Sequence, residues 1–85
     1  YKVGTTYTLT TNVKVRDGAG TDARRKLKSE LTEDGQKNAL NQTNATLKEG
    51  TRVTVQEVKN LNGDIWVRMP SGWIAAKYQG SSYLK

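Results

Sequence analysis

The sequence predicts an all-β domain: a small, strongly bent, mainly antiparallel barrel interrupted by one long polar excursion. Three observations lead there. Short segments alternate apolar and polar residues with the period of two of a half-buried strand. Val13 and Val15 alternate with Lys14 and Arg16, and Val53 and Val55 with Arg52, Thr54 and Gln56. Glycine-bearing turns separate such segments, at Asp17-Gly-Ala-Gly20, Asn62-Gly63 and Ser71-Gly72. No stretch keeps helical spacing of apolar residues for more than a turn or two. Eighty-five residues make one domain, 1–85, with a modest core. Because Tyr1 is not a natural start, the chain is expected to be a piece of a longer protein.

Tyr7-Thr-Leu-Thr10 is the first strand candidate, rich in residues that suit a pleated surface. Asn12–Arg16 is the second, ended by the glycines of the following turn. Residues 21–45 are polar and charged, with Leu27, Leu31, Ala39 and Leu40 as their main apolar anchors. They read as an inserted loop that leaves the barrel and returns. Leu27 and Leu31 are four apart, which suits a turn or two of helix capped by Ser29 or Thr32 and stopped by Gly35. Thr51–Val58 is the strongest strand pattern, and Val58 breaks its alternation, which predicts a bulge near Gln56-Glu57. Ser82-Tyr-Leu84 offers a closing strand.

The last hairpin lets faces be assigned, because cross-strand partners share a face. With Ser71-Gly72 as its loop, Met69 opposes Ile74 and Val67 opposes Ala76. A loop of Pro70-Ser71 shifts the pairs and keeps the same two sets. Ile65, Val67, Met69, Ile74 and Ala76 form the core face. Trp66, Arg68, Trp73 and Ala75 fall on the outer face, which is expected to be an exposed aromatic platform. Pro70 fits beside the turn, where no ladder donor is needed.

The chain has no cysteine and no histidine, so thiol nucleophiles, imidazole bases and the usual zinc ligands are missing. Its eight carboxylates are scattered through turns and polar stretches, away from apolar runs that would raise a pKa. The domain is expected to be non-catalytic, with no metal and no cofactor. No apolar run approaches a membrane span. The net charge of +6 favours anionic partners, or simply solubility.

Four segments, in order, resemble bacterial SH3-like (SH3b) domains. Asn12-Val-Lys-Val-Arg16-Asp-Gly-Ala-Gly20 looks like that family's N-V-R-x-G-P-G opening, with Lys14 as an extra residue. Leu47-Lys-Glu-Gly-Thr-Arg-Val-Thr-Val55 is similar to L-K-K-G-T-x-V-x-V, Trp66-Val-Arg-Met69 to W-x-K-V, and Gly72–Tyr78 to the G-W-V-x-x-x-Y-L ending. The likeness covers about residues 7–19 and 46–84; residues 21–45 replace a shorter loop. It implies an SH3-like barrel serving as a non-catalytic module that attaches a peptidoglycan hydrolase, autolysin or phage endolysin to the Gram-positive wall, outside the cell. It implies peptidoglycan or its wall peptide as the partner, in an aromatic groove. Carried onto this chain, that role falls on Trp66 and Trp73, with Tyr78, Arg16 and Arg68 at the rim.

Each residue also has a structural reading. One tryptophan closes the barrel end, Tyr78 closes the core, Arg16 holds the glycine turn through its hydrogen-bond fork, and Asn12 satisfies turn backbone groups. The run Arg24, Arg25, Lys26 and Lys28 is either a contact for teichoic acid or another anionic polymer, or a solvated loop face. The alternative function is a small basic nucleic-acid-binding β-barrel, since basic charge beside aromatics suits single strands. Two features disfavour it: the basic run and the tryptophans lie in different segments, and the other outer strand faces carry Thr and Gln. Proline-peptide recognition is disfavoured too, because the chain lacks an acidic loop and adjacent tryptophans.

Overall fold

The computed structural model describes residues 1–85. Eight short strands follow in chain order: β1 (Thr6–Thr8), β2 (Val13–Lys14), β3 (Thr46–Leu47), β4 (Arg52–Thr54), β5 (Glu57–Leu61), β6 (Asp64–Met69), β7 (Gly72–Tyr78) and β8 (Ser81–Ser82). A 3-10 turn, Lys28–Glu30, and a five-residue helix, α1 (Glu33–Lys37), lie between β2 and β3. The strands form three antiparallel, unclosed sheets: β1 with β4, β2 with β3, and β5-β6-β7-β8. Isolated bridges tie them together, Arg16 to Trp73 and Leu9 to Leu84.

Thirteen buried apolar residues form one core, drawn from every part of the chain. Val67, Met69, Ile74 and Ala76 are in it, and Ile65 packs against it half-buried. The expected core face is therefore correct. Burying each such side chain contributes roughly 1.5–3 kcal/mol, which is how strands of two or three residues hold together.

The hairpin loops follow from local chemistry. Leu61 pairs with Asp64 across Asn62-Gly63, whose φ values of 52° and 86° are those of a type I′ turn. Gln79-Gly80 makes the same turn between β7 and β8. Between β6 and β7 the loop is Pro70-Ser71, because Met69 pairs with Gly72. Gly72 takes a φ of 141° and sits so close to β2 that a Cβ there would lie 2.8 Å from the Arg16 carbonyl oxygen. The Thr51–Val58 pattern divides at Val55-Gln56 into β4 and β5, close to the irregularity that Val58 announced.

The excursion 21–45 differs from expectation in three respects. Leu27 and Leu31 cap the two ends of a single 3-10 turn, Lys28–Glu30, but only Leu31 is buried; Leu27 is exposed and anchors nothing. Thr32 is the cap, its Oγ1 accepting from the Gly35 N–H at 3.0 Å. Gly35 does not stop α1 but lies inside it, because a Cβ at this position would land on Ser71 Oγ. The helix ends instead at Asn38, whose side chain returns to the Asp34 carbonyl at 2.9 Å. Leu40, expected to pin the loop, is exposed.

Candidate functional site

A cleft of about 260 Å³ opens between β2 and the β6–β7 hairpin. Its aromatic wall is Trp66, Tyr78 and Tyr83, with Ala75 beside them. The opposite side is Thr11–Lys14 and Arg16, with Thr21 from the start of the excursion. Each wall has a local cause. Trp66 lies directly across from Ala75, whose small side chain lines the cleft beside the indole. A bulge between Ile65 and Trp66 shifts the register, so that Ile65 pairs with Lys77. The Tyr78 ring then meets the Trp66 indole edge-on, with centroids 6.4 Å apart. Tyr83 follows the tight Gln79-Gly80 turn, and its backbone N–H bonds the Ala76 carbonyl at 2.8 Å.

Trp66 is not the exposed platform expected from face parity. It is only 4% exposed and forms the floor of the cleft. The segment that follows β2 pairs with the edge of β7 through the two Arg16–Trp73 backbone bonds, both 2.8 Å, and so brings Val13, Lys14 and Arg16 to the cleft in which Trp66 lies. Single-hairpin logic cannot see that strand. The indole N–H of Trp66 donates to no acceptor within the chain, while Arg25 Nε alone is both buried and unpartnered; the indole N–H therefore keeps contact with solvent. The hydroxyls of Tyr78 and Tyr83 also have no partner in the chain, unlike those of Tyr1 and Tyr7.

The sequence-derived residues divide. Trp66, Tyr78 and Arg16 come together at the cleft. Trp73 and Arg68 do not: they face each other across β6 and β7 outside it, and Arg68 is held by Glu57 at 3.2 Å and Gln56 at 2.8 Å. Arg16 combines its two readings, since Nη1 donates to the Ala23 carbonyl at 2.9 Å to hold the turn while the side chain lines the cleft. Asn12 satisfies a turn backbone group, as expected, its Oδ1 accepting from the Glu49 N–H at 2.8 Å. Tyr83 and Lys14 belong to the site and were missed. Their signals were the aromatic three residues past the last turn glycine, Gly80, and the outward position of Lys14 in the β2 alternation.

The basic run is not one free cationic face. Arg24 bonds Glu30 at 2.8 Å and Asp17 at 3.2 Å. Arg25 donates to the Asn44 carbonyl at 2.7 Å and to Thr46 Oγ1 at 3.3 Å, and Lys26 Nζ to the Ser71 carbonyl at 3.0 Å. Lys28 is half-buried. The bidentate hydrogen bond from Arg24, helped by the Leu27 N–H, lowers the Glu30 carboxyl to about 2. Burial, and then the positive charge of Arg16, lowers the pKa of the Arg25 guanidinium.

No group of three His, Cys, Asp or Glu side chains is placed to hold a metal ion. No helix is long and apolar enough to cross a membrane. Comparison with protein-family models, with curated proteins and with solved structures finds no match to this chain.

Proposed function

We propose that this chain is an SH3-like barrel of the cell-wall-binding kind: a non-catalytic module that holds an attached bacterial or phage lytic enzyme on Gram-positive peptidoglycan, outside the cell. The observation that carries the reading is the cleft of Trp66, Tyr78 and Tyr83 against β2. Seven of its ten lining residues, Tyr83, Thr11 and Thr21 excepted, come from the segments Asn12–Gly20, Trp66–Met69 and Gly72–Tyr78, which also carry the resemblance to SH3-like wall-binding domains. Aromatic walls with free polar tips suit an extended peptide, supplying apolar contact and hydrogen bonds together. Teichoic acid is not assigned to Arg24, Arg25 and Lys26, because those side chains would first have to leave their present partners.

Sedimentation with purified Gram-positive peptidoglycan tests the proposal. The chain is expected in the pellet, and Tyr78→Ala with Lys14→Ala is expected to return it to the supernatant while leaving its circular dichroism unchanged. A folded double variant that still pellets fully would remove the cleft from the function.

A nucleic-acid-binding barrel is the second reading, favoured by Lys14 and Arg16 beside the aromatic wall. Micromolar binding of a single-stranded oligonucleotide, weakening steeply with salt, would put it first.

A further inference from the structure

The charge around the cleft is one-sided. Among its lining residues Lys14 and Arg16 are cationic and none is acidic. The carboxylates that form ion pairs are engaged elsewhere: Asp17 and Glu30 with Arg24, and Glu57 with Arg68. Lys14 makes no ion pair and is exposed. Behind Arg16 stands Arg25, directly opposite it in an antiparallel bridge. Residues so paired carry their side chains on the same face. Arg25 Nε is buried with no acceptor, and the positive charge of Arg16 acts on Arg25. Thr46, opposite Lys14 in the β2–β3 pair, receives Arg25 instead of an acid.

The cleft's charged side chains and its indole are donors, and its hydroxyls can donate as well. The Trp66 indole N–H is a donor only, Lys14 is a donor only, and Arg16 uses a single intrachain bond of its five donors. Cations held together without an acid raise one another's energy, and a bound anion relieves that cost. The cleft volume of about 260 Å³ lies just below the range of about 300–1,000 Å³ usual for small-molecule sites. It therefore takes one end of an extended chain, not a folded partner. A polymer with a phosphate in every unit would need a cationic track, and Arg24, Arg25 and Lys26 of the basic run are already taken by partners within the chain.

We infer that the cleft is a carboxylate-reading site: the free carboxylate of a short peptide seats on Lys14 and Arg16, and its adjoining residues lie along Trp66, Tyr78 and Tyr83. The inference rests on the wall-peptide reading for the identity of the natural ligand, while the carboxylate chemistry stands on the charge and donor pattern alone.

The test is 15N NMR titration of the 85-residue chain, following the separate indole N–H signals of Trp66 and Trp73. The probes are N-acetyl-tetra-alanine with a free C-terminal carboxylate, its C-terminal amide, and glycerol 3-phosphate. The free acid is expected to shift the Trp66 signal and leave that of Trp73 in place. The amide is expected to bind roughly five- to tenfold more weakly, the usual scale for losing a charge-assisted hydrogen bond. Lys14→Gln is expected to abolish most of that difference, and its exposed position leaves the fold intact. Equal binding of acid and amide, no shift at Trp66, or tighter binding of glycerol 3-phosphate would each overturn the carboxylate site. Failure of the chain to sediment with peptidoglycan, while acid and amide still differ, would instead remove the wall reading and leave the site.

Discussion

The indole of Trp66 and the ring of Tyr78 meet edge-on, 78° apart in plane and 6.4 Å between centroids. The same contact that supports the hairpin also forms the corner of the cleft, so stability and binding share atoms there. Trp66→Ala is therefore a folding test: removing so buried an aromatic costs about 3–5 kcal/mol, a large fraction of what a small domain has. Tyr78→Ala is expected to cost about 1–3 kcal/mol. Tyr78→Phe is expected to stay within about 0.5 kcal/mol of the parent, because its hydroxyl has no partner in the chain. Urea denaturation separates the three; a Tyr78→Phe change as costly as Tyr78→Ala would mean that the hydroxyl has a structural partner.

Gly72 governs how closely β2 approaches the hairpin. Alanine there must both accept a φ of 141° and place its Cβ 2.8 Å from the Arg16 carbonyl oxygen. Backbone against Cβ has little freedom to yield, so a cost of about 2 kcal/mol or more is expected. The displaced β2 should also take Lys14 and Arg16 away from the aromatic wall and weaken peptidoglycan retention. An unchanged urea midpoint with unchanged retention would show that β2 docks independently of this position.

Gly35 makes a prediction against helix propensity. Glycine to alanine within a helix ordinarily gains about 1 kcal/mol. Here the added Cβ meets Ser71 Oγ, which already contacts Thr32 Oγ1 at 3.0 Å and accepts from the Thr32 N–H at 3.2 Å. Gly35→Ala is expected to destabilise by about 1–3 kcal/mol, and Ser71→Ala in the same chain to restore part of the loss. A stabilised Gly35→Ala protein would show that α1 shifts away freely.

Glu30 links the excursion to pH. Its folded pKa is about 2, against an ordinary value of 4.5, because Arg24 and the Leu27 N–H bond the carboxylate. A depressed folded value stabilises the fold above the unfolded pKa, and that contribution is lost as pH falls from about 4.5 through about 2. An NMR titration of the Glu30 carboxyl should place its midpoint near 2, and Arg24→Gln should move the midpoint upward. A midpoint at the ordinary value in the parent would mean that the Arg24 bond does not persist in solution.

Legibility of the fold followed the range of the interactions. The type I′ turn at Asn62-Gly63 was readable because its two residues supply their own positive φ. The core face of β6 and β7 was readable because a hairpin fixes parity over a few residues. The excursion was misread at Gly35, where the reason for glycine is Ser71, 36 positions away. Arg24, Arg25 and Lys26 looked like one basic patch, yet their acceptors, Glu30, the Asn44 carbonyl and the Ser71 carbonyl, lie in three different segments.

By itself the sequence determined the all-β class, the Asn62-Gly63 turn, the two faces of the last hairpin, and the absence of histidine and cysteine. These depend on local backbone preference and period-two patterning, which neighbours in the chain decide. Tertiary structure alone decided that Trp66 is a cleft floor and not an exposed platform. The cleft in which that indole lies requires β2, more than 50 residues earlier, to be brought in by the pairing of Arg16 with Trp73. The same docking brings Lys14 and Arg16 to the aromatic wall and leaves Trp73 and Arg68 outside it. Face parity can say which side of a sheet a residue occupies; only long-range pairing decides what covers that side.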